Sequence, residues 1–242
     1  MVRKVVDICF LRRLKRAVRA WYFVSLLFLL SVTDVTGTEQ QELDMEYGEE
    51  INQTCAGCHG EYGQGSIEGE YPRLAGLDAV YIAKQLNDFK TRKRINIPMI
   101  PFANDRELPG DDVRIISEYL SRIQLPTKLQ PVDEENFDAL ERLHASKRVV
   151  NIKDYPGDIE LGRKVYKKEC VSCHAKDGYG NKKKKAPQLA GQYSEYLLRQ
   201  VKYYRSGERL HDEEKDDAEL FNEFSDEVID AMLAYLATLD DN

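Results

Sequence analysis

The strongest constraint on this 242-residue chain is that it repeats itself. Cys55-Ala56-Gly57-Cys58-His59 returns 115 positions later as Cys170-Val171-Ser172-Cys173-His174. The same offset carries Gly63 onto Gly178, Gly65 onto Gly180, Pro72 onto Pro187 and Leu74-Ala75-Gly76 onto Leu189-Ala190-Gly191. It also carries Tyr81 onto Tyr196, Gln85 onto Gln200 and Arg94 onto Arg209. Self-similarity at one fixed spacing is the mark of a duplicated unit, so the chain must fold twice into one small domain.

The repeated C-x-x-C-H pattern is the attachment signature of c-type haem. Two thiols form thioethers with the porphyrin, and the adjacent histidine turns beneath the iron as its proximal ligand. The alternatives explain less. A four-cysteine zinc site has no use for a histidine after each pair, a thioredoxin-like motif needs a βαβ context that is absent, and two structural disulfides leave His59 and His174 without a purpose. The expected cofactors are therefore two covalently bound haem c groups, held by Cys55, Cys58 and His59 and by Cys170, Cys173 and His174.

Each copy reads as helix. A short helix runs into the motif, a glycine-rich loop follows, and an amphipathic helix covers Asp78 to Arg92 or Ser194 to Arg205. A last helix covers Asp111 to Ile123 or Asp226 to Leu239, with apolar residues three and four apart. No segment sustains strand alternation, so the expected fold class is all-α. Domains of roughly 85 residues are short of core, and haem fills much of it. The expected organisation is a leader at 1–38, a first domain at 39–125, a linker at 126–157 and a second domain at 158–242. Within the linker, Asp133 to Arg148 reads as a helix with a thin apolar stripe of Phe137, Leu140, Leu143 and Val149, and the linker is expected to pack across one or both domains, with a solvated spacer as the alternative.

Charge separates the leader from the body. The first 38 residues hold seven basic and two acidic side chains, a net of +5 within a total of −7, which leaves −12 for the remainder. An acidic body argues against nucleic-acid binding, where phosphate contacts are made chiefly by Lys and Arg. Basic residues to Arg19 followed by the apolar run Ala20 to Val32 match an export signal and are short for a span of roughly 30 Å. The expected location is the periplasm, with an uncleaved N-terminal anchor as the alternative. Membrane contact would then come only through that leader or through a membrane-bound partner. Cys9 falls in the leader and is expected to have no role in the mature protein.

The paired motifs, the Pro-x-Leu-Ala-Gly segments, the Tyr-x-x-x-Gln helices and the closing Glu-Tyr-Leu or Ala-Tyr-Leu helices resemble diheme class I cytochromes c of the cytochrome c4 type. The resemblance implies two cytochrome c folds around a pseudo-twofold axis and electron transport between respiratory donor and acceptor proteins. It also implies that each iron takes the motif histidine and a methionine from a later loop. Ile97-Pro98-Met99-Ile100-Pro101-Phe102-Ala103 is similar to that methionine loop, which makes Met99 the expected sixth ligand of the first iron.

The second copy departs from the pattern. Its corresponding stretch, His211-Asp212-Glu213-Glu214-Lys215-Asp216-Asp217, contains no methionine, and the counterpart of Met99 falls at Glu214, Lys215 or Asp217 according to how the copies are matched. Met232 shares a face with Val228, Leu236 and Leu239 and reads as core; Met45 precedes the first motif and reads as packing or exposed. The sixth ligand of the second iron is thus His211, or His144 from the linker, or the site is open to a small ligand. The leading function is a non-enzymatic electron carrier. The alternative is peroxidase-like catalysis or small-ligand binding at an open second haem, for which the segment offers no acid/base set beyond its acidic run. Lys182 to Lys185 reads as a solvated loop or, alternatively, a docking patch for an acidic partner.

Overall fold

Aspartates and one serine start four of the helices. Asp78, Asp138, Asp158 and Ser225 each accept backbone N–H bonds from the first turn that follows, which satisfies donors with no partner inside the helix. The computed structural model describes residues 41, 42, 44–211 and 217–239. The expected leader, with Cys9, and Asp212 to Asp216 lie outside the described residues. Tyr47–Asn242 forms one unit containing both repeats.

The first repeat is built from α1 (44–59), α2 (Ala79–Lys90), a 3-10 turn at Ile97–Met99 and α3 (Gly110–Arg122). The second is built from α5 (Ile159–Glu169), α6 (Val171–His174), α7 (Ser194–Arg205), a 3-10 stretch at Asp217–Asn222 and α8 (Asp226–Ala237). Among the described residues there is no β-strand, only an isolated bridge between Asn181 and Ala186. Helix positions agree with the periodicity to within a few residues.

Each repeat has its own core. In the first, Ile82 of α2 packs with Val113, Ile116 and Leu120 of α3, and Ile51 and Cys55 of α1 close over them. In the second, Ile229, Met232 and Leu233 of α8 pack with Val201 of α7, which places Met232 in the core as its helical spacing required. Close helix approach is set by glycine. A methyl group at Gly162 of α5 would overlap the Ala231 carbonyl of α8, and one at Gly48 of α1 would sit 2.6 Å from Tyr119 Cβ on α3.

The linker differs from the expected long helix. Asp133 turns back on itself, its carboxylate accepting from the backbone of Glu135 and Asn136, and Asp138 then caps the shorter α4 (Ala139–Lys147). Most of the stripe does not pack: Phe137, Leu140 and Leu143 are 56%, 64% and 53% exposed, and Val149 alone is half-buried. The linker is fastened at its ends instead. Val150 N–H donates to the Pro126 carbonyl at 2.9 Å, and Val150 and Leu125 are buried with Ala75 and Tyr193 in a cluster drawn from both repeats.

Candidate functional site

The attachment motif sits at a helix end in both repeats. Cys55, Cys58 and His59 occupy the end of α1, which breaks at Gly60 (φ 81). Cys170 is the joint between α5 and α6, His174 ends α6, and Ala175 follows at φ 64. Among the described residues no two cysteines are joined by a disulfide. Burial pushes the Cys55 and Cys170 thiols up to about 11.

The glycine-rich loop then returns to clamp the histidine. Gly65 N–H donates to the His59 carbonyl at 2.7 Å, and Gly180 N–H to the His174 carbonyl at 2.9 Å. Gly63 O accepts from Leu74 and Ala75, and Gly178 O from Leu189 and Ala190. Both Gly63 (φ 68) and Gly178 (φ 78) lie in the left-handed region, where a side chain would be strained. This clamp brings Pro72 O to 3.0 Å from His59 Nδ1 and Pro187 O to 2.9 Å from His174 Nδ1. A carbonyl only accepts, so each Nδ1 carries the proton and each Nε2 presents its lone pair, the tautomer a metal-ligating histidine requires.

Electrostatics agree with that tautomer. Burial holds both imidazoles below the usual histidine range, against the opposing pull of the proline carbonyls, and His174 falls to about 4 with a smaller push from His211. Neutral, oriented and buried imidazoles beside paired thiols fit covalent haem at both positions. Among the described residues no three His, Cys, Asp or Glu side chains gather into a metal cluster, so a shared four-cysteine zinc site has no counterpart.

The sixth-ligand candidates fall in different places. Met99 ends the 3-10 turn Ile97–Met99, half-buried, and its carbonyl accepts from Phe102 and Ala103. His211 lies beside His174, with ring centroids 5.9 Å apart and planes at 43°. Two imidazoles on opposite sides of one metal, each at about 2 Å, have centroids roughly 6 Å apart. His211 is boxed by Tyr204 and Phe221, each meeting it edge-on at 5.2 Å. His144 is exposed on α4, and Met45 is half-buried near the start of α1.

Between the repeats lies a cluster of residues that the repeat had flagged without a role. Arg94 donates to Gln85 in its own repeat at 2.7 Å and to Tyr196 and Gln200 across the boundary at 3.2 and 2.9 Å. Arg209 mirrors it, donating to Gln200 at 2.7 Å and to Tyr81 and Gln85 at 3.0 and 3.1 Å. Burial raises the Tyr196 phenol, but Arg94 and then Arg209 outweigh it and leave the group below its ordinary value. A second, asymmetric link joins Arg73 to Gln192, with backbone N–H and carbonyl each 3.0 Å from the glutamine amide. Tyr204 and Phe221 were missed by sequence reasoning; the repeat offset pairs Tyr204 with Phe89, and Phe221 with Arg106.

The cytochrome c family model matches the chain twice, over residues 45–124 and 159–240. The chain belongs to the cytochrome c family. This cytochrome c is 32% identical over 185 residues to a thiosulfate dehydrogenase electron acceptor of Stutzerimonas stutzeri, spanning 76% of this chain and 78% of that one. It is 26% identical over 196 residues to cytochrome c4 of Stutzerimonas stutzeri, spanning 77% and 84%. Reduced recombinant cytochrome c4 from Pseudomonas stutzeri shares its fold, with TM-score 0.60, 22% identity and coverage of 79% and 96%. A thiosulfate dehydrogenase (TsdBA) from Marichromatium purpuratum matches with TM-score 0.62 and 25% identity, over 80% of this chain but 40% of that longer one. This cytochrome is a diheme electron-transfer protein of the cytochrome c4 type, with tandem all-α domains and two covalently bound haem c groups.

Proposed function

We propose that this cytochrome is an exported single-electron relay with two unlike haem centres, the first held by His59 and Met99 and the second by His174 and His211. The observation that carries this reading is the 5.9 Å separation of the His174 and His211 rings in a repeat without a loop methionine. Bound haem supplies reversible one-electron exchange at iron.

The chain's own residues prepare both centres. Cys55 with Cys58, and Cys170 with Cys173, fix the group covalently. Pro72 and Pro187 keep the proton on Nδ1, and burial keeps Nε2 unprotonated and shields it from water. Methionine ligation raises a haem potential relative to bis-histidine ligation. Electrons therefore pass downhill from the second centre to the first.

The donor is a thiosulfate-oxidising dehydrogenase and the acceptor a respiratory redox protein. The similarity to a thiosulfate dehydrogenase electron acceptor supports the donor. The basic and apolar leader supports export to the periplasm, and none of the described helices is long and apolar enough to cross a membrane. The function is transport, not turnover of a small substrate. Rapid mixing of oxidised holoprotein with a purified thiosulfate dehydrogenase and thiosulfate tests the reading. The prediction is stoichiometric reduction of both haems at a rate well above that with thiosulfate alone; equal rates with and without the dehydrogenase would remove it as donor.

A further inference from the structure

The repeat offset pairs Phe89 with Tyr204 as it pairs Arg94 with Arg209. Both pairs are stacked: the Arg94 guanidinium carbon lies 4.6 Å from the Phe89 ring centroid, and that of Arg209 lies 5.0 Å from the Tyr204 centroid. Their surroundings differ. Tyr204 stacks on Phe221 at 5.1 Å and presents an edge-on contact to His211, perpendicular to within a degree. In the first repeat the position of His211 is taken by Asn96.

Arg209 cannot shift without breaking bonds to both repeats. It is 8% exposed, with its guanidinium fork held by Gln200 on one side and by Tyr81 and Gln85 of the first repeat on the other. A planar fork with fixed donor directions transmits such anchoring to whatever stacks on it, and desolvation strengthens the attraction between guanidinium and ring. Arg209 thus fixes Tyr204, and Tyr204 with Phe221 fixes the ring of His211.

We propose that Tyr204 and Arg209 are positioning residues for the sixth ligand of the second haem, and that through them Tyr81 of the first repeat sets the properties of that centre. The proposal rests on His211 being the ligand. Its consequence is that the domain interface and the second haem are one mechanical unit. The buried charge of Arg209 also favours the reduced centre, since an added electron is stabilised by a nearby cation of low exposure.

The test follows the oxidised full-length holoprotein by low-temperature EPR and both haems through a potentiometric titration. Tyr204→Ala is expected to convert part of the second haem to a high-spin signal, while Tyr204→Phe keeps the ring and the low-spin signal. Tyr81→Phe removes one hydrogen bond to Arg209 from the other repeat; it is expected to shift the g-values and lower the midpoint of the second haem by more than those of the first. Arg209→Gln is expected to lower that midpoint further, and Arg209→Lys to restore it in part. If the wild type shows two low-spin haems and Tyr81→Phe and Tyr204→Ala leave the second unchanged, the positioning role is overturned while His211 ligation stands. If the wild type has no bis-histidine signal, His211 ligation falls and the positioning role falls with it.

Discussion

Arg94 and Arg209 meet on one atom. Their guanidinium nitrogens lie 2.9 and 2.7 Å from Gln200 Oε1, and both also donate to Gln85 Oε1. Two buried cations are thereby held by neutral oxygens at the boundary between the repeats. Removing an acceptor leaves charged donors buried without it, which costs about 3 kcal/mol. Gln200→Leu keeps the volume and is expected to lower the denaturant midpoint by an amount of that order. Gln85→Leu should behave similarly, and the double variant should lose less than the two losses combined because both act on one network. A chemical denaturation series checks this.

Helix contact in the second repeat rests on one missing methyl group. The added carbon of Gly162→Ala would overlap the backbone of Ala231, where no side chain can move aside. Overpacking of this kind costs about 1–3 kcal/mol or more. The expected outcome is a loss of thermal stability in the second domain, with the first haem's spectrum unchanged. Gly110→Ala, at a position with nothing within 4 Å, is the control and should leave stability nearly unaltered.

Alkaline stability should depend on Tyr155. Burial, then the Asp230 carboxylate that its hydroxyl reaches at 3.3 Å, raises this phenol from 10.0 to about 12. Between those values the unfolded chain has released a proton that the folded chain keeps. Stability is fully present below pH 10 and declines as pH rises towards 12. Tyr155→Phe removes the titrating group, so its unfolding free energy should fall less steeply than the wild type's through that window. Urea melts at a series of alkaline pH values measure the two slopes.

Much of this architecture was legible because one unit occurs twice. The 115-residue offset matched glycines that prove to clamp the histidines, and it matched the tyrosine, glutamine and arginine pairs that form the interface. What the offset could not say is that these pairs bond across the boundary, since a repeat predicts likeness and not contact. The distal side was harder. Looking for a counterpart of Met99 led to Glu214, Lys215 and Asp217, none of them a methionine, whereas the candidate His211 answers to Asn96, three residues earlier. The linker helix was overextended because Asp133 and Asp138 look alike in sequence, yet the first closes its own turn and only the second caps a helix. Its apolar stripe has helical spacing and is largely exposed all the same, because periodicity reports a face and not what covers it.

The central claim is that the two centres carry different axial ligands. Low-temperature EPR of the fully oxidised holoprotein, compared with His211→Ala, tests it most directly. Two low-spin haems with distinct g-values are expected in the wild type, and in His211→Ala one of them converts to high spin while the His59/Met99 signal stays in place. A high-spin haem already present in the wild type, or a second signal that His211→Ala leaves unchanged, would contradict it.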